Sequence, residues 1–222
     1  MMMNLFAIFD PSSSNMLSMN WLSTLIIILM IPYSYWLIPS RIHLIWFTIS
    51  NYLITELNSL FSKNKKKFMF MFLSLFWFIM SNNLMGLFPY IFTSTSHINL
   101  TTSLAIPLWL TLMLFGWINQ TNHMFMHLVP NGTPMILSSF MVLIETTSNL
   151  IRPITLAVRL SANMISGHLL LCLLSNILES TQNLFILVIP MILILLTLET
   201  AVAIIQSYVF VTLTSLYLNE LN

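Results

Sequence analysis

The sequence predicts an all-α integral membrane protein, and three observations lead to that prediction. Of the 222 residues, 58% are hydrophobic and only 6% are charged, whereas soluble domains carry about 25% charged residues. The stretch between Lys67 and Glu145 contains no Asp, Glu, Lys or Arg, and it is long enough for two or three spans of about 20 residues each. Two further long apolar segments follow, at 134–179 and 182–218. Lipid must therefore surround most of this chain.

The N-terminal part of the single membrane domain, 1–222, is predicted to be a tail followed by one transmembrane helix. Residues 1–13 form the tail, and 14–38 are uncharged and apolar, with Trp21 and Trp36 near the two ends. Tryptophan concentrates at both membrane interfaces, which favours a span here. A basic n-region and a small-residue cleavage site are missing from the start, so we expect this run to be retained.

Residues 41–62 differ from the first span because they carry one polar stripe. Polar side chains recur there at intervals of three and four, at Thr48, Asn51, Thr55, Asn58 and Ser62. This periodicity favours an amphipathic helix lying in the membrane interface. The alternative is a second, less apolar span. The basic cluster Lys63, Lys65, Lys66 and Lys67 follows, and it predicts the negative-potential side of the membrane, which is the matrix side in a mitochondrion.

Residues 68–122 are predicted to be a helical hairpin, with helices at 68–88 and 100–122. A Pro- and Gly-containing connector then runs to Pro134. In it, His123 and His127 have the i, i+4 spacing of metal ligands on a helix, but no third ligand is evident, so interfacial histidines are favoured over a metal site.

Composition excludes several functions. The single cysteine excludes an intrachain disulfide framework and a cysteine-based metal cluster. Four glycines and no phosphate-binding loop argue against a nucleotide site. The net charge of +1 argues against a nucleic-acid partner. We therefore expect no cofactor and no metal.

The last two segments are predicted to be long helices. The first, 134–179, would be about 65–70 Å long as a helix, whereas the hydrocarbon core is about 30 Å thick. Such a helix must be steeply inclined or must break, and Pro153 and Pro190 are the candidate kinks. The same argument applies less strongly to 182–218.

A polar stripe runs along the first of these helices. Its members recur every seven residues, at Ser138, Glu145, Arg152, Arg159 and Ser166, with Asn149 and Asn163 at the four-residue offsets. Seven residues are about two helical turns, so these side chains share a face. His168 follows Arg159 by nine residues and points to the other side, whereas Glu199 and Gln206 share a face of the last helix.

Ionisable side chains within a membrane usually serve a function. Arg159 is placed too deep for snorkelling to be the better explanation, and uncharged sequence follows it. Glu145 and Glu199 are candidates for proton exchange, with structural pairing to arginines as the alternative. His168 is suited to proton relay near neutral pH but is equally compatible with a packed histidine. Arg152 is equally compatible with an interfacial anchor.

The run Arg152-Pro-Ile-Thr-Leu-Ala-Val-Arg159-Leu-Ser-Ala-Asn163-Met-Ile-Ser-Gly167-His168 resembles the signature of the ATP synthase subunit a family. The mitochondrial form is the nearest resemblance, and residues 3–11 are similar to the start of arthropod members. The stretches 127–134 and 199–210 resemble the connector and the last helix of the family. Arg152 is outside the family motif, so its role stays open.

This resemblance implies a proton-translocating stator subunit, non-catalytic by itself, with its two last helices inclined against a ring of c subunits in the mitochondrial inner membrane. Two offset half-channels would pass protons to and from the ring carboxylates, past a fixed arginine. The implied partners are the c-ring, the peripheral stalk, other membrane-sector subunits and lipid, including cardiolipin. The implied roles are ring-facing charge for Arg159, entry from the intermembrane space for His168 and Glu199, matrix exit for Glu145, and hydration or positioning for Asn163 and Gln206.

Two other classes remain as alternatives. A haem-bearing respiratory subunit needs paired histidines at similar depth, and only His168 lies in the middle of a predicted helix. A self-contained channel or carrier often contains inverted repeats, and the two halves of this sequence share no convincing repeat. Both alternatives are therefore less favoured than the subunit a resemblance.

Overall fold

The computed structural model describes residues 5–13, 17–25, 36–61, 63–88, 91–129, 134–180 and 185–220. The regular structure in these ranges is helical, which confirms the predicted all-α membrane class. Within these ranges, four helices are long and apolar enough to cross a membrane, so the chain is a multi-pass membrane protein. These are Lys66–Gly86, Ile98–Asn119, Leu137–Ser180 and Phe185–Asn219.

The predicted first span, 14–38, falls partly outside the described residues, because 14–16 and 26–35 are not among them. Its described start contains a short 3-10 helix, Met19–Leu22. There the Trp21 ring packs against Phe92, with ring centroids 5.6 Å apart. The span itself therefore stays a prediction, although its beginning is fixed against the turn of the hairpin.

Helix α1 spans Arg41–Leu60 and begins where the Ser40 hydroxyl oxygen accepts a hydrogen bond from the backbone N–H of His43. Its apolar side is buried at Leu53 and Leu57. Polar positions of the predicted stripe, such as Thr48, Asn51 and Thr55, are exposed. This division suits an amphipathic surface helix, although its lying in the interface stays a prediction.

Helices α2 (Met69–Gly86) and α3 (Ile98–Asn119) form the hairpin. They run antiparallel, because the Phe68 ring at the start of α2 meets Phe115 near the end of α3, with centroids 5.5 Å apart. The turn at 93–96 is buried, unlike most connecting segments. Three of its four hydroxyls are hydrogen-bonded, as between Ser94 Oγ and Asn82 Oδ1 at 3.0 Å, whereas Thr95 Oγ1 is buried without a partner among the described residues.

Part of the stretch predicted as a connector is helical. After Gln120 breaks the helical backbone, α4 runs over Thr121–His127. The reason is local, since residues 121–129 contain no Pro or Gly and the first such residue of the connector is Pro130.

The two last helices are α5, Met135–Ser180, and α6, Phe185–Glu220. Pro153 lies inside α5 and Pro190 inside α6, and both helices continue through them. With 46 residues, α5 is about 69 Å long. Because it does not break, an inclined path is the remaining way to keep most of it within a bilayer about 30 Å thick.

Helix packing places α5 and α6 side by side, with α2 against α6 and α3 against α5. The core between them includes fully buried Phe72, Ile79, Leu160 and Val211. Many large apolar side chains remain exposed on the outside, such as Ile194 at 66%. In water such a surface would aggregate, so it must contact lipid or other membrane subunits.

Candidate functional site

Arg159 lies near the middle of α5 and points away from the helices that pack around it. Its side chain is exposed, and its neighbours Ile154 and Val158 are 55% and 46% exposed. Among the residues that the structure describes, no acidic group lies within ion-pair distance of Arg159. It lies about 36 Å of helix from Met135 and about 32 Å from Ser180. The guanidinium is therefore presented outward near the middle of α5.

One cavity, of about 260 Å³, lies between α5, α6 and the α3–α4 corner. Its polar lining is Glu145, Thr146, Asn149, Arg152 and Tyr217. Within it, Arg152 Nη2 lies 3.7 Å from Glu145 Oε1. The guanidinium carbon of Arg152 also lies 5.0 Å from the centre of the Tyr217 ring, which is within cation–π distance.

A second cavity, of about 210 Å³, lies between α5 and α6 on the other side of Arg159 along the helix. Asn163, Ser166, Gly167 and Glu199 supply its polar and backbone lining. Both carboxylate oxygens of Glu199 are buried and lack a hydrogen-bond partner among the described residues. Buried polar atoms normally have a partner, so this cavity is a place where we expect water.

Gly167 is what allows the Glu199 carboxylate to reach this position. A Cβ atom on Gly167 would lie 2.6 Å from Glu199 Oε1, a distance that non-bonded atoms do not adopt. The carboxylate therefore lies directly against the backbone of α5.

Asn163 and Gln206 connect the two helices close to Arg159. Asn163 Nδ2 donates to Gln206 Oε1 at 3.3 Å, and Gln206 is 7% exposed. The bond joins α5 and α6 one turn beyond the arginine.

His168 lies apart from these groups. Its half-buried ring makes an edge contact with Phe9 of the N-terminal 3-10 helix Leu5–Phe9, with centroids 6.4 Å apart. Its Nε2 atom is buried without a partner among the described residues. Next to Phe9, the backbone N–H of Ser12 donates to Asp10 Oδ1 at 3.1 Å, and this bond lowers the pKa of the Asp10 carboxyl. The anionic carboxylate of Asp10 therefore lies next in the chain to Phe9, the residue that contacts His168.

The two cavities lie toward opposite ends of the helical bundle. The Glu145 cavity includes Trp117 from the end of α3, which lies at the Lys66 end of α2 because of the contact between Phe68 and Phe115. Asn83, near the far end of α2, donates to the Ala203 carbonyl at 3.5 Å, and Ala203 is one turn from Glu199. Glu145 and Gly167 are about 33 Å apart along the axis of α5.

The predicted seven-residue stripe is thus divided among three surroundings. Glu145 and Arg152 line one cavity, Ser166 lines the other, and Arg159 faces outward between them. Sequence reasoning did not find the contribution of Tyr217 or Phe9, because both contacts join residues that are far apart in the chain. Gly167 carried a signal, since it is one of only four glycines and lies inside a helix.

Comparison with known proteins gives one family. Residues 16–219 match the family model described as ATP synthase A chain. The chain is similar to ATP synthase subunit a of Drosophila simulans, with 58% identity over 224 residues that cover 100% of both chains. It is also similar to ATP synthase subunit a of Anopheles quadrimaculatus, with 57% identity over 100% of both chains, and of Locusta migratoria, with 55% identity over 99% of both chains.

Proposed function

Because the chain belongs to the ATP synthase A chain family, we propose that it is the stator half of the proton-driven rotor in the membrane sector. The family relation makes it a proton-translocating membrane-sector subunit. The finer proposal is that protons enter one half-channel, bind a carboxylate on a rotating c-ring, and leave through a second half-channel after rotation. The observation that carries this proposal is that Arg159 is exposed near the middle of α5, with no acidic group within ion-pair distance among the described residues.

Arginine suits the position because it stays protonated at every physiological pH. It attracts an ionised ring carboxylate and does not take up the proton that the carboxylate releases. An opposite charge within about 4–6 Å favours the ionised form of a carboxyl group. A protonated carboxyl that rotates toward Arg159 is therefore driven to release its proton before it passes.

The fixed charge also separates the two half-channels. A positive guanidinium repels a proton that would move directly from one cavity to the other. Each proton must instead travel with the ring, and a charge that crosses 100 mV releases about 2.3 kcal/mol, which drives rotation. Lysine would serve less well, because its pKa shifts readily on burial.

The two cavities supply the inner parts of the half-channels in this proposal. In this proposal Glu199 and His168 receive protons on the side remote from Lys66, and Glu145 passes them out on the Lys66 side. Support comes from the position of the cavities on either side of Arg159 and toward opposite ends of the bundle. Asn163 and Gln206 hold the helices together beside the arginine.

The proposed surroundings follow from the same function. We assign the chain to the mitochondrial inner membrane, with the Lys63–Lys67 cluster on the matrix side. Its partners are the c-ring, the peripheral stalk, other membrane-sector subunits and the bilayer, with cardiolipin a suitable anionic lipid. The chain itself supplies the proton path, and ATP is made elsewhere in the complex.

Replacement of the central arginine tests this function. We expect Arg159→Ala to abolish ATP synthesis driven by a proton gradient in vesicles that contain the assembled complex. Arg41→Ala is the matched control, because it removes an exposed arginine at the start of α1 and should leave synthesis near the wild-type rate. Oligomycin-sensitive synthesis at the wild-type rate in the Arg159 variant would refute the proposal.

A further inference from the structure

We propose that Arg152 is a positioning residue for the Glu145 carboxylate, and that Tyr217 of α6 holds Arg152 in place for this task. The proposal rests on the proposed function of the chain, since it concerns the route by which protons leave. It assigns a role to an arginine that neither the seven-residue spacing nor the family motif explained. Arg152 would act through Glu145 and would not itself accept or donate the transported proton.

Helical geometry explains how Arg152 reaches Glu145. The two residues are seven positions apart, which is about two turns or 10.5 Å along the axis. Side chains on a helix lean toward its N-terminus, so the longer Arg152 side chain extends back toward Glu145. The result is the 3.7 Å separation between Nη2 and Oε1. The carboxylate and guanidinium are 38% and 29% exposed, so neither group is sealed away from the cavity.

The ring of Tyr217 occupies another side of the same guanidinium. Its centre is 5.0 Å from the Arg152 Cζ atom, a distance at which a cation is attracted to the ring face. A planar guanidinium can stack on a ring and pair with a carboxylate at once. Arg152 therefore links α6 to the carboxylate on α5, and its position limits where that carboxylate can move.

The cavity around this pair is suited to water. Glu145, Thr146 and Asn149 line it, and Pro153 has no N–H to donate to the Asn149 carbonyl one turn earlier. A buried water requires about two to four polar partners, and these groups supply them. A carboxylate fixed at this wall is in reach of such water, whereas a free Glu145 side chain would sample several rotamers.

Three substitutions of Arg152 separate charge from packing. We expect Arg152→Met, which keeps an unbranched apolar stem, and Arg152→Gln to lower proton-driven ATP synthesis by about twofold to fivefold, as for loss of a partly exposed ion pair. Arg152→Lys keeps the charge and should retain more than about half of the wild-type rate. Arg41→Gln is the control for removal of an arginine outside the cavity.

A second readout is how the loss of ATP synthesis depends on the pH at each side of the membrane. A packing defect alone would not make the loss depend on the pH at one side. The charged and titratable groups that line the cavity are Glu145, Arg152 and Tyr217, and the lining residues of α3 and α4 add none among those described. In vesicles with independently set pH on each side, the loss in Arg152→Met should vary with pH on the Lys66 side. It should be constant when pH on the other side is varied.

Two results would overturn the proposal. One is a wild-type rate in Arg152→Met, and the other is a loss that is equal at every pH on both sides.

If Arg152→Met does not assemble, two substitutions of Tyr217 test the proposal instead. Tyr217→Phe keeps the ring and should retain more of the synthesis rate than Tyr217→Leu, which should reproduce the side-specific loss, and equal behaviour of the two would refute the role of the ring. If these tests refute the role of Arg152 but Arg159→Ala is inactive, the proposed function of the chain still stands.

Discussion

At the scale of single residues, the contact between Gly167 and Glu199 gives a direct prediction. Gly167→Ala places a Cβ where Glu199 Oε1 now lies, since the ideal separation is 2.6 Å. Glu199 Oε1 is the end of a flexible side chain, so the carboxylate can move aside and the complex should still assemble. We expect proton-driven ATP synthesis to be roughly tenfold slower, because the carboxylate must leave its place between α5 and α6 and misplacing a reacting group by about 1 Å slows reactions strongly.

Gly86→Ala is the matched control for that substitution. There the nearest atom to an added Cβ is Thr93 Cγ2 at 3.1 Å, a methyl group that needs to move by only a few tenths of an ångström. This variant should keep nearly normal synthesis. A Gly167→Ala complex that assembles and works at the wild-type rate would mean that the position of the Glu199 carboxylate is not important for proton entry.

The contacts of single residues show which parts of the site could be predicted from the sequence. The seven-residue spacing placed Glu145 and Arg152 on one face, and their ion pair has that geometry. The spacing argument used one helix at a time, so it had no access to contacts between helices. The Tyr217 ring on Arg152 and the Phe9 ring on His168 are contacts of this kind. The sequence pattern does not distinguish either aromatic residue from the many apolar residues around it.

At the scale of elements, α1 offers a choice between a surface helix and a span. The Trp46 ring of α1 stacks on the Trp77 ring of α2, with ring centroids 3.4 Å apart. This contact fixes α1 to the bundle in either arrangement. The predicted stripe separates the two arrangements, because a surface helix exposes all of its polar positions to water. A span would bury the middle of the stripe in lipid.

Cysteine labelling decides the orientation of α1. In a Cys172→Ser background, we expect Thr48→Cys, Asn51→Cys and Thr55→Cys to react at similar rates with a membrane-impermeant thiol reagent added on the Lys66 side. Ser74→Cys is the control, since Ser74 is exposed on the outside of span α2 and should be protected by lipid. Protection of Asn51→Cys to the same degree as Ser74→Cys would identify α1 as a span.

The elements differ in how well sequence patterns predict them. Long apolar segments set the extent of α5 and α6, and both helices continue through Pro153 and Pro190. The turn at 93–96 contains four polar residues and would be expected at the surface. It is buried instead because hydroxyl groups bond to Asn82 and to one another, an arrangement that depends on partners in three dimensions.

At the scale of the whole molecule, two separate cavities and one outward arginine define the arrangement. The cavities lie on either side of Arg159 along α5 and approach opposite ends of the bundle. In the proposed function, a carrier that moves past the arginine face connects the two cavities, and this is the role that we propose for the ring.

The central claim is that the Arg159 face of α5, and not the His168 face, meets the ring. Ala162 is exposed and lies one turn from Arg159, whereas the native Cys172 is one turn from His168 and partly exposed. The measurement is disulfide cross-linking in the intact complex, with a cysteine placed beside the essential carboxyl group of the ring subunit. Ala162→Cys should form the cross-link and Cys172 should not. A cross-link through Cys172 alone would contradict the account.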